Sequence, residues 1–399
     1  MSITRSLVQT LSECIENVLE SSPHADKALT QLLHNNPQWQ LDERQYVVSN
    51  YYHIFRFKRL LEYVQEQNGI SRDGFGYWLT AQVVTQQTLP EWLDTETYDF
   101  DALSASIETA PEAVKLSMPD WLHEIAQAQL GEQWSDIAMG LNQSAIQYIR
   151  PNTLKCDLES LQQSLAKEGI TVSQVQLDSH IALKVESNSH LFRSQAFQAG
   201  WFEMQDAGSQ QIAPFLQVKP GHKVVDACAG AGGKSLHLAA LLENKGRLLS
   251  LDIHEHKLET LKQRAKRAGV HVAETRVIQN NKTIKRQKEK FDRVLLDVPC
   301  SGLGVLKRNP DTKWHLNSQN LDTLIALQSD ILQRYSQMCK VGGKLVYATC
   351  SVLPAENEQQ VQQFLDRNPN WQLEASLSLL PGINTEFDGF YAARLVKVS

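Results

Sequence analysis

Apolar residues recur at two different periods along this chain, and the change of period divides it. Over residues 1–145, Leu7, Leu11, Cys14, Ile15 and Val18 fall at helical spacing, as do Tyr51, Tyr52, Phe55, Leu60 and Leu61, while strand-like alternation is scarce. An all-α domain is predicted over residues 1–143, with its aromatics in a helical core. Residues 144–204 read as a small β-α-β-β module: apolar strand runs at 146–150, 172–177 and 181–185 surround a helix at 157–167. The stretch 200–206 then reads as a strand leading into a helix at 209–216. From Lys223 onward, strand runs at 223–226, 247–252, 271–277, 293–297 and 344–349 alternate with helices at 235–242, 256–268, 320–339 and 355–366. Regular strand–helix alternation with apolar strands predicts a parallel, doubly wound, Rossmann-like α/β sheet across the domain 205–399. The run at 389–397 reads as a final edge strand.

Composition adds compartment and charge. With 42% hydrophobic and 21% charged residues, the 399-residue chain is of ordinary globular type and long enough for two or three domains. The first residues lack the apolar run of a signal peptide, and no charge-free stretch of membrane-spanning length occurs. The six cysteines are dispersed, with no C-x-x-C pair, so neither a disulfide framework nor a zinc ribbon is expected. These features point to the cytoplasm, without a membrane or a metal. Residues 1–145 hold 8 Lys/Arg against 20 Asp/Glu, whereas residues 146–399 hold 31 against 25. Only the second part has the sign that a phosphate backbone attracts.

Three short runs carry candidate chemistry. In Val224-Val225-Asp226-Ala227-Cys228-Ala229-Gly230-Ala231-Gly232-Gly233-Lys234-Ser235 a strand breaks into a glycine turn that opens a helix. Such a turn lets a ligand approach the backbone and offers free N–H groups. Asp252, at the end of the next strand, stands where a carboxylate can accept from ribose hydroxyls. A P-loop frame would need glycine where Cys228 stands, so a cofactor without phosphates fits better than ATP. The runs Asp297-Val298-Pro299-Cys300-Ser301-Gly302 and Thr349-Cys350-Ser351 each end an apolar strand in a small polar turn with one thiol. Strand ends of this kind present reactive groups at the rim of an open α/β sheet. Cys14, Cys156 and Cys339 read as core. Lys307, Arg308 and Lys313 with Trp314 directly follow the Cys300 turn, a mixture of cations and an aromatic that suits a nucleic-acid strand.

These runs, with Arg308-x-Pro310-Asp311-x-x-Trp314, resemble in order and spacing the signatures of RNA cytosine-5 methyltransferases, from about Ile146 to the C-terminus. Tyr148-Ile149-Arg150-Pro151-Asn152 resembles the start of that family's RNA-binding subdomain. The N-terminal region is similar, more loosely, to the NusB-like helical domain of its 16S ribosomal RNA branch. The resemblance implies S-adenosylmethionine as cofactor and methyl transfer to carbon 5 of cytosine through a covalent Cys–cytosine intermediate. It makes Cys350 the nucleophile, Cys300 the group that assists adduct release, and Asp297 the group that polarises the base. It places Cys228, Ala229, Gly230, Ala231, Gly232, Gly233, Lys234, Asp252, Asn281 and Asp297 at the cofactor, while the charge split puts Arg150, Lys307, Arg308 and Lys313 near the RNA. Two positions depart from the family pattern: the loop reads Ala-Gly-Ala-Gly-Gly-Lys for Ala-Ala-Pro-Gly-Gly-Lys, and Asn281 stands where an aspartate is usual. Ribosomal RNA is the expected substrate and transfer RNA the alternative, with a monomeric protein. A non-catalytic RNA-binding or ribosome-assembly factor on the same fold is the competing reading.

Overall fold

The computed structural model describes residues 3–21, 25–186 and 191–399. It forms two compact units, Met1–Gln143 with Leu306–Ser318, and Ser144–Val305 with Gln319–Ser399.

The first unit is helical, as the apolar spacing predicts. The helix Arg5–Ser21 buries Leu7, Leu11, Ile15 and Val18 along one face against the helices Leu41–Asn68 and Gly74–Val84. Gly74–Val84 is apolar nearly all round and fully internal at Trp78 and Leu79. Its first residue is glycine for a steric reason: a Cβ on Gly74 would lie 2.1 Å from the Ser12 carbonyl oxygen.

The unit is completed by residues from far along the chain. Lys313 is 1% exposed, and its amine donates to the Arg56 carbonyl at 2.8 Å and to Asn142 Oδ1 at 3.1 Å. The Trp314 indole donates to the Phe55 carbonyl at 2.6 Å, and the Arg56 guanidinium donates to the Lys307 carbonyl at 3.0 Å. These contacts correct the expectation for the 307–314 run. Lys307 and Lys313 are buried anchors of the helical unit and do not lie open to an RNA strand; Arg308 between them is half-buried. A cation beside an aromatic has the same sequence signature in either setting.

In the second unit a four-stranded antiparallel sheet, order β2-β3-β1-β4, is made by β1 (Tyr148–Pro151), β2 (Val172–Gln176), β3 (Ile181–Val185) and β4 (Phe202–Met204). The helix Leu158–Lys167, capped by Asp157 through a 2.7 Å bond from Ser160 N–H, packs Leu161 and Leu165 on Ile149, Leu183 and Phe202. This module is joined closely to the larger sheet. The Asn152 amide donates to the carbonyls of Gly200 and Ala268, and a Cβ on Gly200 would lie 2.0 Å from the Arg267 carbonyl oxygen.

The larger sheet has seven strands in the order β10-β11-β9-β8-β5-β6-β7. The strands are β5 (Lys223–Asp226), β6 (Arg247–Asp252), β7 (Ala273–Val277), β8 (Phe291–Asp297), β9 (Cys339–Thr349), β10 (Trp371–Leu379) and β11 (Phe390–Lys397). From β7 across to β9 every pairing is parallel; β11 runs antiparallel to both β9 and β10. The doubly wound sheet is as predicted, with helices on both faces covering two apolar cores. The expected last edge strand is corrected: β11 lies inside the sheet, with Tyr391, Ala392 and Ala393 buried, and the edge belongs to β10. The chain winds outward from β5 to one side and from β8 to the other. The C-terminal ends of these two neighbours therefore form the crevice where open α/β sheets take their ligands.

Burial pushes the Lys313 amine well below the ordinary lysine value of 10.5, and the nearby Arg56 adds to this. Between that lowered pKa and the ordinary one the unfolded chain holds more protons than the folded one, so stability rises with pH. Urea unfolding at pH 7 and pH 9.5 is expected to show this rise in the wild type and a smaller rise in Lys313→Met.

Candidate active site

β8 and β9 are parallel neighbours with Asp297 opposite Ala348, so the turns that follow them leave the same sheet edge at the same level. This register brings together two thiols fifty residues apart in sequence: Cys300 Sγ and Cys350 Sγ are 3.3 Å apart, and both are half-buried. The contact with Cys350 and burial both push the Cys300 thiol up, and either sulfur can donate in this contact.

Each thiol is followed by a serine, and both serines meet one carboxylate. Glu356, 0% exposed, accepts from Ser301 N–H at 2.8 Å, from the Ser301 and Ser351 hydroxyls, and from the Gln328 amide at 2.9 Å. Gln328 also holds the Pro299 carbonyl at 3.0 Å. Asn357 accepts from the Thr349 hydroxyl and donates to the Ser351 carbonyl. Gly304 N–H donates to the Cys350 carbonyl at 2.9 Å, an approach so close that a Cβ on Gly304 would lie 2.8 Å from that oxygen. Glu356 escaped the sequence analysis. Its signal was the small polar residue after each cysteine, which needs a shared acceptor once the strands pair.

Beside the thiols, the Lys234 ammonium donates to Asp297 Oδ2 at 2.7 Å and lies 5.3 Å from the Phe390 ring centre. Burial works against the Lys234 charge, but Asp297 outweighs it, with Cys350 and Asp226 adding to the effect, and the pKa is raised. Asp226, at the end of β5, is buried and pushed up to about 7, chiefly by desolvation; Ser235 donates to it at 2.6 Å.

Asp297 also lines a cleft of about 400 Å³ with Ala227, Cys228, Gly230, Asp252 and Ile278. Asp252 is held by N–H donors from Gly230 and His254, both at 2.8 Å, which fixes its carboxylate at the cleft wall. Ile253 is 61% exposed and Leu327 39% exposed, so the same cleft offers apolar surface for a flat ring next to a carboxylate for hydroxyls. Those two features fit a nucleoside cofactor. Sequence reasoning found Cys228, Gly230, Asp252 and Asp297 but not Ile253, Ile278, Leu327 or Arg334, which come from separate elements.

The other predicted cofactor residues sit differently. Ala229 and Gly232 are buried in the turn, and the carbonyls of Ala231 and Gly233 face away to arginine donors. Asn281 is exposed at the start of the helix Asn281–Lys285, and its side-chain oxygen accepts from Arg334, which lines the cleft. Arg150 is corrected. It is 3% exposed, its guanidinium donating to Gln205 and to the Gly233 carbonyl, so it is an internal group and no part of an open RNA surface.

Fold, cleft and paired rim thiols agree with a class that the comparisons define, the S-adenosylmethionine-dependent RNA methyltransferases. Residues 213–396 match the family model described as 16S rRNA methyltransferase RsmB/F, and residues 118–190 match the ferredoxin-like domain of the same family. Ribosomal RNA small subunit methyltransferase B of Vibrio vulnificus is 35% identical over 291 residues, covering 71% of this chain and 68% of that protein. The chain belongs to the RsmB/F family of RNA methyltransferases. In three dimensions it is similar to a methyltransferase homologue from Pyrococcus horikoshii (TM-score 0.64, 26% identity, 72% of this chain and 97% of that one). It shares its fold with the crystal structure of PH0851 over the full length of both chains, with a TM-score of 0.82 and 24% identity.

Replacing Glu356 by Gln leaves one acceptor oxygen where four donors converge and removes the charge. We expect a loss of about 1.5–3 kcal/mol in urea unfolding together with a fall in activity, because both cysteine turns lose their common anchor.

Proposed function

We propose that the protein transfers a methyl group from S-adenosylmethionine to carbon 5 of a cytosine in small-subunit ribosomal RNA through a covalent bond to Cys350. The observation that carries this reading is the pair of thiols 3.3 Å apart on adjacent strand ends, beside the Lys234–Asp297 pair. The ribosomal substrate follows from relatives such as the Vibrio vulnificus protein, and it implies work in the cytoplasm.

Carbon 5 of cytosine is a weak nucleophile. Addition of the Cys350 sulfur to carbon 6 opens the 5,6 double bond and moves its electrons toward N3, leaving carbon 5 enamine-like. Asp297, fixed by Lys234 at the rim, would accept from the 4-amino group beside N3 and so polarise the base, while the Lys234 ammonium offsets the negative charge that develops at N3. Lys234 interacts electrostatically with both Asp297 and Cys350, so one ammonium serves the carboxylate and the nucleophile. S-Adenosylmethionine supplies the electrophilic methyl group. Asp252 and the turn around Gly230 would hold its nucleoside part, and the apolar faces of Ile253 and Leu327 its ring. After transfer, Cys300 would assist loss of the carbon-5 proton, whose bonding electrons re-form the 5,6 double bond and release Cys350 as the thiolate. The target base must leave its stack to reach this edge, which favours a loop or remodelled RNA.

The two cysteines are distinguished by trapping. Cys350→Ala is expected to abolish methyl transfer and covalent complex formation, whereas Cys300→Ala is expected to accumulate a protein–RNA adduct that survives denaturation. An adduct formed by the Cys350 variant instead would reverse the roles. Bisulfite sequencing of ribosomal RNA from cells lacking the gene is expected to show one lost 5-methylcytosine.

Cofactor binding is tested by titration with S-adenosylhomocysteine. Asp252→Ala is expected to weaken it by about 1–3 kcal/mol, through loss of charge-assisted hydrogen bonds and of the Gly230 anchor.

A further inference from the structure

The turn that carries the glycines is weakly determined by its own sequence. Gly230 and Gly232 both adopt positive φ (52° and 90°), and the helix Gly233–Leu241 starts without a side-chain cap. Fixing such a turn falls to its surroundings. One side is held by Asp252 on Gly230 N–H and by the Leu251 carbonyl on Ala229 N–H. The other side is held by two guanidinium groups: Arg264 donates to the Ala231 carbonyl and Arg150 to the Gly233 carbonyl, both at 2.8 Å.

Both arginines are anchored on the small α/β module. Arg150 belongs to β1 and sits opposite Glu203 of β4 in register, and its guanidinium is held by Gln205 just beyond β4. Arg264 donates to Glu203 at 2.9 Å, and Arg267 takes the other oxygen of the same carboxylate. Glu203 and Arg150 are each 3% exposed. A trans peptide points its N–H opposite its C=O, so pinning the Gly233 carbonyl also aims the Lys234 N–H. The side chain of that same residue reaches Asp297 on the cleft wall. The contacts thus run without a break from β1 and β4 of the module, through the turn, to the cleft.

We infer that Arg150 and Arg264 are positioning residues for the cofactor turn, through which the small α/β module sets how tightly S-adenosylmethionine is held. The inference rests on the reading that this cleft binds that cofactor. Burial lowers the Arg150 pKa to about 10, with Glu203 working in the opposite sense. An apolar side chain would fill the space without that desolvation, which agrees with a guanidinium kept for its donors.

The test is titration of the full-length protein with S-adenosylhomocysteine, together with steady-state kinetics. Arg150→Met is expected to raise Kd and the KM for S-adenosylmethionine about tenfold with kcat within about twofold, as loss of a charge-assisted hydrogen bond implies. Arg150→Lys, which keeps one donor, is expected to recover most of the loss. Should Arg150→Met fail to fold, Arg264→Met is the second variant, with a Kd raised about three- to tenfold. Val361→Ala, in the apolar core on the helix Glu358–Arg367 and with no hydrogen bond to the turn, serves as a control that lowers stability with Kd unchanged. Wild-type affinity in both arginine variants, or an equal loss in Val361→Ala, overturns the inference. A wild type that does not bind S-adenosylhomocysteine overturns the functional reading beneath it.

Discussion

The reactive edge depends on one buried carboxylate. Parallel pairing of β8 and β9 brings Cys300 and Cys350 to the same edge, but strand pairing ends at Asp297 and Ala348, before either thiol. Beyond that point the two turns have no ladder to hold them. Glu356 takes over, collecting donors from both turns and from Gln328 in a site closed to water. A desolvated carboxylate is tolerated only with its lone pairs filled, so its donors are under strong pressure to stay where they are. Together with the Gly304 bond to the Cys350 carbonyl, a group with no hydrogen bond to either sulfur thereby holds the two thiols in place.

The charge distribution takes on a different meaning in three dimensions. The basic surplus of residues 146–399 suggests a surface for RNA, yet much of it is spent inside the protein. Arg150 and Arg264 hold the glycine turn, Arg267 pairs with Glu203, Lys234 pairs with Asp297, and Lys307 and Lys313 are buried in the helical unit. The cations left for a phosphate backbone are fewer than a count along the sequence suggests, and they include the exposed Lys282, Lys285, Arg286, Lys288 and Lys290.

What the sequence made legible follows from burial. β5 and β6 are apolar because helices cover both their faces, and their limits coincide with the apolar runs. β10 was not legible: it is an edge strand with Gln372, Leu373 and Glu374 exposed and a register shift at that point, so neither continuous apolarity nor clean alternation marks it. β11 was legible as a strand but misplaced, since nothing local reveals that a strand late in the chain inserts between two earlier ones. The thiols and Asp297 could be found because small, polar turn residues after an apolar strand are unusual. Arg150 and Lys313 were misassigned because a sequence shows the sign of a charge and not what surrounds it.

The helical unit carries a consequence for the order of synthesis. Its helices leave the ribosome first, yet the stretch that fills it, Leu306–Ser318, follows some 160 residues later. At translation speeds of about 5–20 residues per second, the carbonyls of Phe55 and Arg56 wait roughly 13–50 s for the Trp314 and Lys313 donors that satisfy them. Until then the nascent domain holds an open slot, and it closes only after β8 and the Cys300 turn have been made. A ribosome that stalls before that point leaves a helical domain without its last piece, its Phe55 and Arg56 carbonyls lacking the donors of the finished chain.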